Sequence, residues 1–138
     1  FNVYGAGQNL ANLKQGIVSI YLKQFIDDDF KKVEVKGSTD RFRDLSYVDD
    51  VVEVSIESIN NQKFFNEIIN IGTGKKTNIK TMLSLMNKYL SSNKDIIISE
   101  GTLGDQFGIY ANTRKLKAIY PKDFISFELG LKRMRAIC

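Results

Sequence analysis

Short β-branched runs alternate with stretches of helical periodicity along the chain, and this alternation limits the fold more than any other feature. Residues 12–25 carry apolar side chains at helical spacing, which predicts a helix. Val33 and Val35 alternate with charged neighbours, and residues 42–48 form another apolar run, so both segments are predicted as short strands. Asp49 and Asp50 precede the next helical pattern, and we expect them to cap that helix and to favour its dipole. The helix is predicted to carry one shared face made of Val51, Val52, Ser55, Ile56 and Ile59.

The rest of the sequence continues the alternation. Residues 68–71 are a β-branched run that predicts a strand, and the Gly72-Thr73-Gly74 turn follows. Thr77 is then expected to cap a helix. Its apolar face comprises Ile79, Met82, Leu83, Met86 and Leu90. Strands are predicted at residues 96–98 and 109–111, a brief helix after Asn112 or Thr113, and a final helix from Ser126. We therefore expect a single α/β domain over residues 1–138, in which short strands alternate with helices.

The amino-acid composition limits which catalytic groups, metal ligands and binding partners the chain can have. Histidine is absent from the sequence, so the usual general base and metal ligand are missing, and Cys138 is the single cysteine. The 20 basic and 16 acidic residues are interspersed, which favours a small anionic ligand over nucleic acid. The longest aliphatic run, residues 96–98, is far shorter than a membrane span, so we expect no membrane association and a cytoplasmic location. The residues suggest no catalytic group and no metal site.

Three motifs allow more than one interpretation. Gly72, Gly74 and Thr77 follow the predicted strand at the spacing of a dinucleotide loop, with Asp95 about twenty residues later, yet a plain glycine turn before a helix fits the same residues.

Arg41 and Arg43 share one face of a predicted strand, where they can present donor forks to a diphosphate or form a solvated edge. Asp49 and Asp50 are suited to acid–base work as well as to capping, and capping is favoured by their position.

Three ordered motifs resemble the extended short-chain dehydrogenase/reductase family. They read NVYGAGQ at residues 2–8, RDLSYVDDVV at 43–52 and NIGTG at 70–74, and the likeness extends from Phe1 to about Met134. Their order is similar to that of NAD-dependent nucleotide-sugar epimerases and dehydratases, such as UDP-glucose 4-epimerase-like enzymes. In that family these segments belong to the C-terminal, substrate-binding portion of a Rossmann-like enzyme.

The resemblance implies roles for individual residues. It implies that Asn2 contacts the diphosphate sugar, that Phe1 lies near the nicotinamide of NAD, and that Asn12 and Leu13 open the helix beside the nucleotide. The same likeness assigns Arg43 to the diphosphate. It further implies that Asp105 meets the ribose or holds its own loop.

Three positions depart from the family pattern. Thr102 stands where many members carry a second diphosphate arginine, and Lys36 where many place an aromatic side chain against the base. Ala6 replaces the proline of a Tyr-Gly-Pro turn, which leaves the backbone φ angle unfixed.

The family's chemistry requires groups that this sequence lacks. No tyrosine is followed four residues later by lysine, since Tyr110 is followed by Arg114, and no Gly-x-x-Gly-x-x-Gly loop opens the chain. We therefore expect the N-terminal NAD-binding half to be absent, NAD to bind only in the intact enzyme, and apolar surface to be left exposed. Such a chain is expected to be marginally stable, a homo-oligomer, or a piece of a larger polypeptide.

The sequence thus predicts the substrate-binding portion of an NAD-dependent nucleotide-sugar epimerase. Two alternatives stay open: a nucleotide-sugar dehydratase of the same family, and a truncated, non-catalytic binding module. Expected partners are a nucleotide-diphosphate sugar and the missing Rossmann half. A third hypothesis, in which the Gly72 turn binds a dinucleotide, predicts loss of NAD binding in Gly74→Val.

Overall fold

The computed structural model describes residues 1–101 and 103–135, and it confirms an α/β fold of short strands and helices. Thr102 and Cys138 lie outside the described residues. The six strands are β1 (Asn2–Tyr4), β2 (Lys32–Lys36), β3 (Phe42–Arg43), β4 (Leu45–Tyr47), β5 (Thr77–Asn78) and β6 (Asp95–Ser99). The helices are α1 (Ile17–Ile26), α2 (Val48–Asn60), α3 (Ile79–Leu90), α4 (Arg114–Ile119) and α5 (Phe127–Arg135), with a 3-10 turn at Gln62–Phe64.

The strands form three two-stranded sheets. β1 pairs with β4 in parallel, with Val3 opposite Ser46, and β2 pairs with β6 in parallel, with Val33 opposite Ile96. β3 and β5 pair in antiparallel orientation, with Arg43 opposite Thr77. The parallel pairs connect strands distant in sequence, so helices must cross between them.

One large apolar cluster holds these layers together. Helices α1, α3 and α5 pack on the inward side chains of β1, β2 and β4, and burial of this cluster is the main favourable term in folding. Its buried members are Tyr4, Val18, Tyr21, Leu22, Phe25, Val33, Val35, Leu45, Tyr47, Ile79, Met82, Leu83, Met86, Leu131 and Met134. A second, smaller cluster surrounds Val54, Phe64 and Leu116.

Helix α1 begins later than predicted. The sequence pattern places its start at Asn12, whereas the helix starts at Ile17, after Gly16 adopts a left-handed backbone with φ of 85°. Glycine adopts that conformation readily and disfavours helix, so it ends the preceding turn instead of continuing α1. Asn12 and Leu13 therefore precede the helix and do not open it.

The acidic pair before α2 does not cap that helix through its side chains. Tyr47 is the N-cap residue, and Asp49 and Asp50 lie in the first turn, where they still favour the helix dipole. The Asp50 carboxylate instead accepts hydrogen bonds from the Ile125 backbone nitrogen at 3.0 and 3.2 Å. This contact fixes the segment that leads into α5.

The apolar residues predicted to share one face of α2 are largely exposed. Val54 and Asp50 are its buried residues, while Val52, Ile56 and Ile59 face solvent, with Ile59 71% exposed. This exposure agrees with the expectation of uncovered apolar surface.

Two predicted strands are wrong, and a third is divided. The backbone at residues 68–71 is irregular and Ile68 is 91% exposed, and residues 109–111 are also irregular, beside a single bridge from Phe42 to Gly108. The Ala111 amide in the second segment, and the Thr73 amide just after the first, donate to the Asp44 carboxylate. The predicted strand 42–48 is split at Asp44 into β3 and β4.

The predicted cap of α3 is also displaced. Thr77 lies in β5, and Asn78 is the N-cap residue. Helix α3 itself is confirmed, together with its buried face.

Candidate functional site

A cleft of about 950 Å³ opens between α1, β2, β3 and the loop at residues 103–105. Its volume lies at the upper end of the roughly 300–1,000 Å³ typical of small-molecule sites. Among the described residues, six basic and three acidic side chains line it. These are Lys14, Lys31, Lys32, Lys36, Arg41 and Arg43, with Asp29, Glu34 and Asp105. The excess of positive charge suits an anionic ligand.

Helix α1 forms the apolar wall of the cleft. Ile17, Ile20 and Tyr21 line it on one helical face, while Val18 and Leu22 on the opposite side are buried in the core. Burial raises the pKa of Tyr21, and the charges of Arg41 and Arg43 act in the opposite direction. The Tyr21 hydroxyl therefore stays neutral near two cations.

Strand β3 presents Arg43 to the cleft. Arg43 Nη1 donates to the Phe42 carbonyl at 2.8 Å and to the Phe107 carbonyl at 3.3 Å. Burial, followed by the nearby charge of Arg41, lowers the pKa of Arg43. At physiological pH the guanidinium stays charged, because its ordinary pKa is above about 12. A nearby negative charge would therefore stabilise this partly desolvated guanidinium.

Asp105 provides part of this negative charge. Its carboxylate forms ion pairs with both Arg41 and Arg43, the second at 3.5 Å between Oδ1 and Nη2. Arg41 is further held by the carbonyls of Lys36 and Ser38. The loop that bears Asp105 is thus tied to β3 by charge.

Four of the six predicted site residues line the same cleft: Asn2, Leu13, Arg43 and Asp105. The other two, Asn12 and Phe1, are not among its described lining residues. The Asn12 side chain accepts a hydrogen bond from the Lys14 backbone nitrogen at 3.0 Å, so it is engaged in a local turn. Phe1, which directly precedes β1, is 43% exposed. Lys36, which departs from the family pattern, also lines the cleft.

Asp44 is a residue whose role the sequence did not indicate. It is fully buried, and its carboxylate accepts from Thr73 N and Oγ1, Gly74 N and Ala111 N at 2.6–3.0 Å. These bonds gather two loops behind the strand segment that carries Arg43. The Arg-Asp pair in the RDLSYVDDVV motif was the available signal, but spacing alone does not show that one side chain faces inward.

The glycine turn at Gly72 and Gly74 is structural. A phosphate loop offers free backbone amides to its ligand, whereas the amides of Thr73 and Gly74 are bonded to Asp44. A side chain at Gly72 would collide with Ala111, because an added Cβ would lie 2.6 Å from the Ala111 Cβ. The glycines therefore allow close packing around a buried carboxylate.

Within residues 1–101 and 103–135 there is no group of three or more His, Cys, Asp or Glu side chains arranged to hold a metal ion. In the same residues, every helix is too short or too polar to cross a membrane.

Comparison with known proteins agrees with the family suggested by the motifs. Residues 1–72 match the NAD dependent epimerase/dehydratase family. The chain is 27% identical over 133 residues to a putative UDP-glucose 4-epimerase from Methanocaldococcus jannaschii, covering 96% of this chain and 42% of that protein. It is 29% identical over 141 residues to the ADP-L-glycero-D-manno-heptose-6-epimerase of Brachyspira hyodysenteriae, again over 96% and 42%. The chain thus spans less than half the length of these relatives.

Solved structures share the fold. The UDP-glucose 4-epimerase of Thermotoga maritima, crystallised with UDP-glucose, is 27% identical with a TM-score of 0.88, over 99% of this chain and 43% of that one. The UDP-N-acetylglucosamine 4-epimerase from Methanobrevibacter ruminantium M1, in complex with UDP-N-acetylmuramic acid, has a TM-score of 0.89 at 22% identity over the same shares. The α/β architecture therefore matches Rossmann-like epimerase structures.

Proposed function

The chain belongs to the NAD dependent epimerase/dehydratase family, and from that premise we propose that it forms the substrate-binding portion of a nucleotide-sugar epimerase. The basic cleft between α1 and β3 carries the proposal. In it, Arg43 binds the diphosphate, Asn2 contacts the diphosphate sugar, and Leu13 lies against the nucleotide. Asp105 meets the ribose or holds its loop. Asn12 and Phe1 keep their family roles in this proposal, beside the nucleotide and the nicotinamide respectively.

The relatives described above favour an epimerase over a dehydratase. The 27% identical structure is a UDP-glucose 4-epimerase with UDP-glucose, and the two relatives matched by sequence are named as a putative UDP-glucose 4-epimerase and a heptose-6-epimerase. A uridine diphosphate sugar is accordingly the first substrate to test.

The described residues do not fit NAD as a phosphate-loop ligand. The glycine turn that resembles a dinucleotide loop has its amides bonded to Asp44, and the sequence has no Tyr-x-x-x-Lys pair. We therefore derive no hydride step from these residues and assign NAD to a cofactor-binding part outside the 138 residues. When bound there, NAD would supply the transient oxidation and re-reduction of the sugar.

The contribution of this chain is then binding and orientation. The partly buried Arg43 fork can pair with phosphate oxygens through parallel N–H donors, which fixes the direction of the diphosphate as well as its charge. With the diphosphate held at β3, the cleft between Asn2 and α1 receives the remainder of the ligand. Positioning of this kind supplies much of an enzyme's rate enhancement.

Thermal unfolding with a panel of UDP- and TDP-sugars tests the binding role. A ligand at about 100 times its Kd stabilises the folded state by about 2.7 kcal/mol. We expect such a shift with at least one UDP-sugar, its loss in Arg43→Ala, and its retention in Arg114→Ala, which removes the same charge at an exposed position away from the cleft. The proposal fails if no nucleotide sugar shifts the transition of the folded chain.

Turnover assays separate the epimerase from a non-catalytic module. The 138-residue chain with added NAD should convert no UDP-sugar, whereas a longer polypeptide that contains it should give the epimer without net loss of water. A dehydrated product would identify the dehydratase alternative. Turnover by the 138 residues alone would overturn the assignment of NAD to another part, and an inactive longer polypeptide would favour the binding module.

A further inference from the structure

Two arginine side chains converge on one carboxylate at the floor of the cleft. Arg41 Nη1 pairs with one oxygen of Asp105, and Arg43 Nη2 lies 3.5 Å from the other. The side chains of Arg41 and Arg43 are 10% and 12% exposed, so both charges are largely removed from water. A single carboxylate therefore pairs with two positively charged groups and neutralises only one of the two charges.

Both guanidinium groups are held from behind by backbone carbonyls. Arg41 donates through Nε to Ser38 and through Nη2 to Lys36, and Arg43 donates through Nη1 to Phe42 and Phe107. These bonds leave Arg41 Nη1 and Arg43 Nη2 directed at the same carboxylate. The two forks are thus fixed side by side.

The local charge is unbalanced. Like charges close together in a poorly hydrated place repel each other, and an added anion offsets that repulsion. Lys36 and Lys32 add further positive charge along the same wall, against Glu34. An anion with two linked charged groups would match two adjacent forks better than a single phosphate would.

We propose that Arg41 is a second cation of the anion site, so that Arg41 and Arg43 together bind a diphosphate. This inference rests on the proposed function, because it assigns the diphosphate subsite of the same cleft. It explains how the chain holds a diphosphate although Thr102 stands where many relatives carry a second arginine. The binding charge comes from Arg41, which immediately precedes β3 and shares the Asp105 carboxylate with Arg43.

Titration with inorganic pyrophosphate at low salt tests the inference without base or sugar. We expect Arg41→Gln and Arg43→Gln each to lower pyrophosphate affinity about tenfold, as loss of one charged hydrogen-bonding partner does. Arg114→Gln is the matched control, because it makes the same substitution at an exposed arginine outside the cleft lining. Its effect should be about twofold or less, through long-range charge alone.

Titrations with orthophosphate and with uridine distinguish partial unfolding of a variant from loss of a diphosphate contact. A variant that is partly unfolded loses affinity for all ligands equally, whereas loss of a diphosphate contact lowers the pyrophosphate affinity more than the orthophosphate or uridine affinity. Arg41→Lys retains the charge but not the planar fork, and we expect it to lose affinity several-fold, to an extent between wild type and Arg41→Gln.

Defined outcomes distinguish the two proposals. If Arg41→Gln behaves like Arg114→Gln while UDP-sugar binding still depends on Arg43, the inference is wrong and the proposed function stands. If pyrophosphate binding depends on Arg41 but no nucleotide sugar binds, the anion site is supported and the proposed function fails. A wild-type chain that binds no pyrophosphate overturns the inference.

Discussion

The carboxylate of Asp44 accepts two hydrogen bonds from Thr73, at 2.9 Å from the backbone nitrogen and 2.6 Å from Oγ1, across 29 positions of sequence. The same carboxylate accepts from the amides of Gly74 and Ala111. Asp44 thereby joins β3 and β4 to two loops that share no strand pairing with it.

Asp44→Asn should destabilise the fold by about 2–4 kcal/mol. The substitution replaces one acceptor oxygen with an NH2 donor, so buried backbone N–H groups lose their acceptor and face another donor. Urea unfolding measures this loss. Thr73→Val removes the hydroxyl, which donates to Asp44 and accepts from the exposed Lys75 backbone amide at 3.0 Å, and should cost about 1 kcal/mol. An effect of Asp44→Asn no greater than that of Thr73→Val would contradict the four-bond arrangement.

Gly72→Ala should destabilise the fold by about 1–3 kcal/mol through overpacking. The added Cβ would lie 2.6 Å from the Ala111 Cβ and 3.0 Å from Asp44 Oδ2, so backbone segments must move apart. The control is Gly7→Ala, which meets open space but has φ of 85°, and its cost of about 1 kcal/mol comes from backbone strain. Crystallography of Gly72→Ala should show displacement at Ala111, and an unmoved loop would refute the steric explanation.

Asp50 should make stability depend on pH. Burial raises the pKa of its carboxyl above the ordinary value, although the hydrogen bond from Ile125 acts in the opposite direction. As pH falls, the folded state binds this proton before the unfolded state does, so the stability that this group contributes grows between the folded and the unfolded pKa and is fully present below the unfolded pKa. Above the folded pKa that contribution is lost.

Asp50→Asn removes this dependence while keeping an oxygen that accepts from Ile125. The unfolding free energy of the variant, minus that of wild type, should therefore be larger at about pH 7 than at about pH 3. Asp49→Asn provides the control, because Asp49 is exposed and pairs with Arg133 at 3.1 Å, a contact worth less than about 1 kcal/mol. A difference for Asp50→Asn that is constant across the pH range would contradict the assignment.

Local sequence pattern predicts the fold best where a helix meets the main core. Ile79, Met82, Leu83 and Met86 recur at helical spacing, and all four are buried in α3. The same rule groups Val52, Ile56 and Ile59 on one side of α2, yet they are exposed. Periodicity identifies which residues share a face, whereas the covering of that face depends on contacts far away in sequence.

The predicted strand at residues 68–71 shows a second limit. Its β-branched residues favour extended backbone, but the backbone there is irregular, and the amides that follow it, of Thr73 and Gly74, bond to Asp44 instead of to a strand. A buried carboxylate that replaces a strand partner leaves no periodic signal in the sequence.

The site was predicted through motif resemblance more than through physical pattern. Asn2, Leu13, Arg43 and Asp105 come from segments up to about a hundred residues apart, and the fold brings them to one cleft. Alternation along a strand placed Arg41 beside Arg43. It did not show that Asp105 would pair with both, since that contact depends on where the loop at residues 103–105 lies.

The buried bonds behind Arg43 have a consequence for affinity. Asp44 fixes the strand from the core side, while the carbonyls of Phe42 and Phe107 hold the guanidinium on the cleft side. Flexible side chains that become ordered on binding typically reduce affinity by about 0.5–1.5 kcal/mol each. Arg43 is ordered before any ligand arrives, so most of this entropy loss has already occurred during folding.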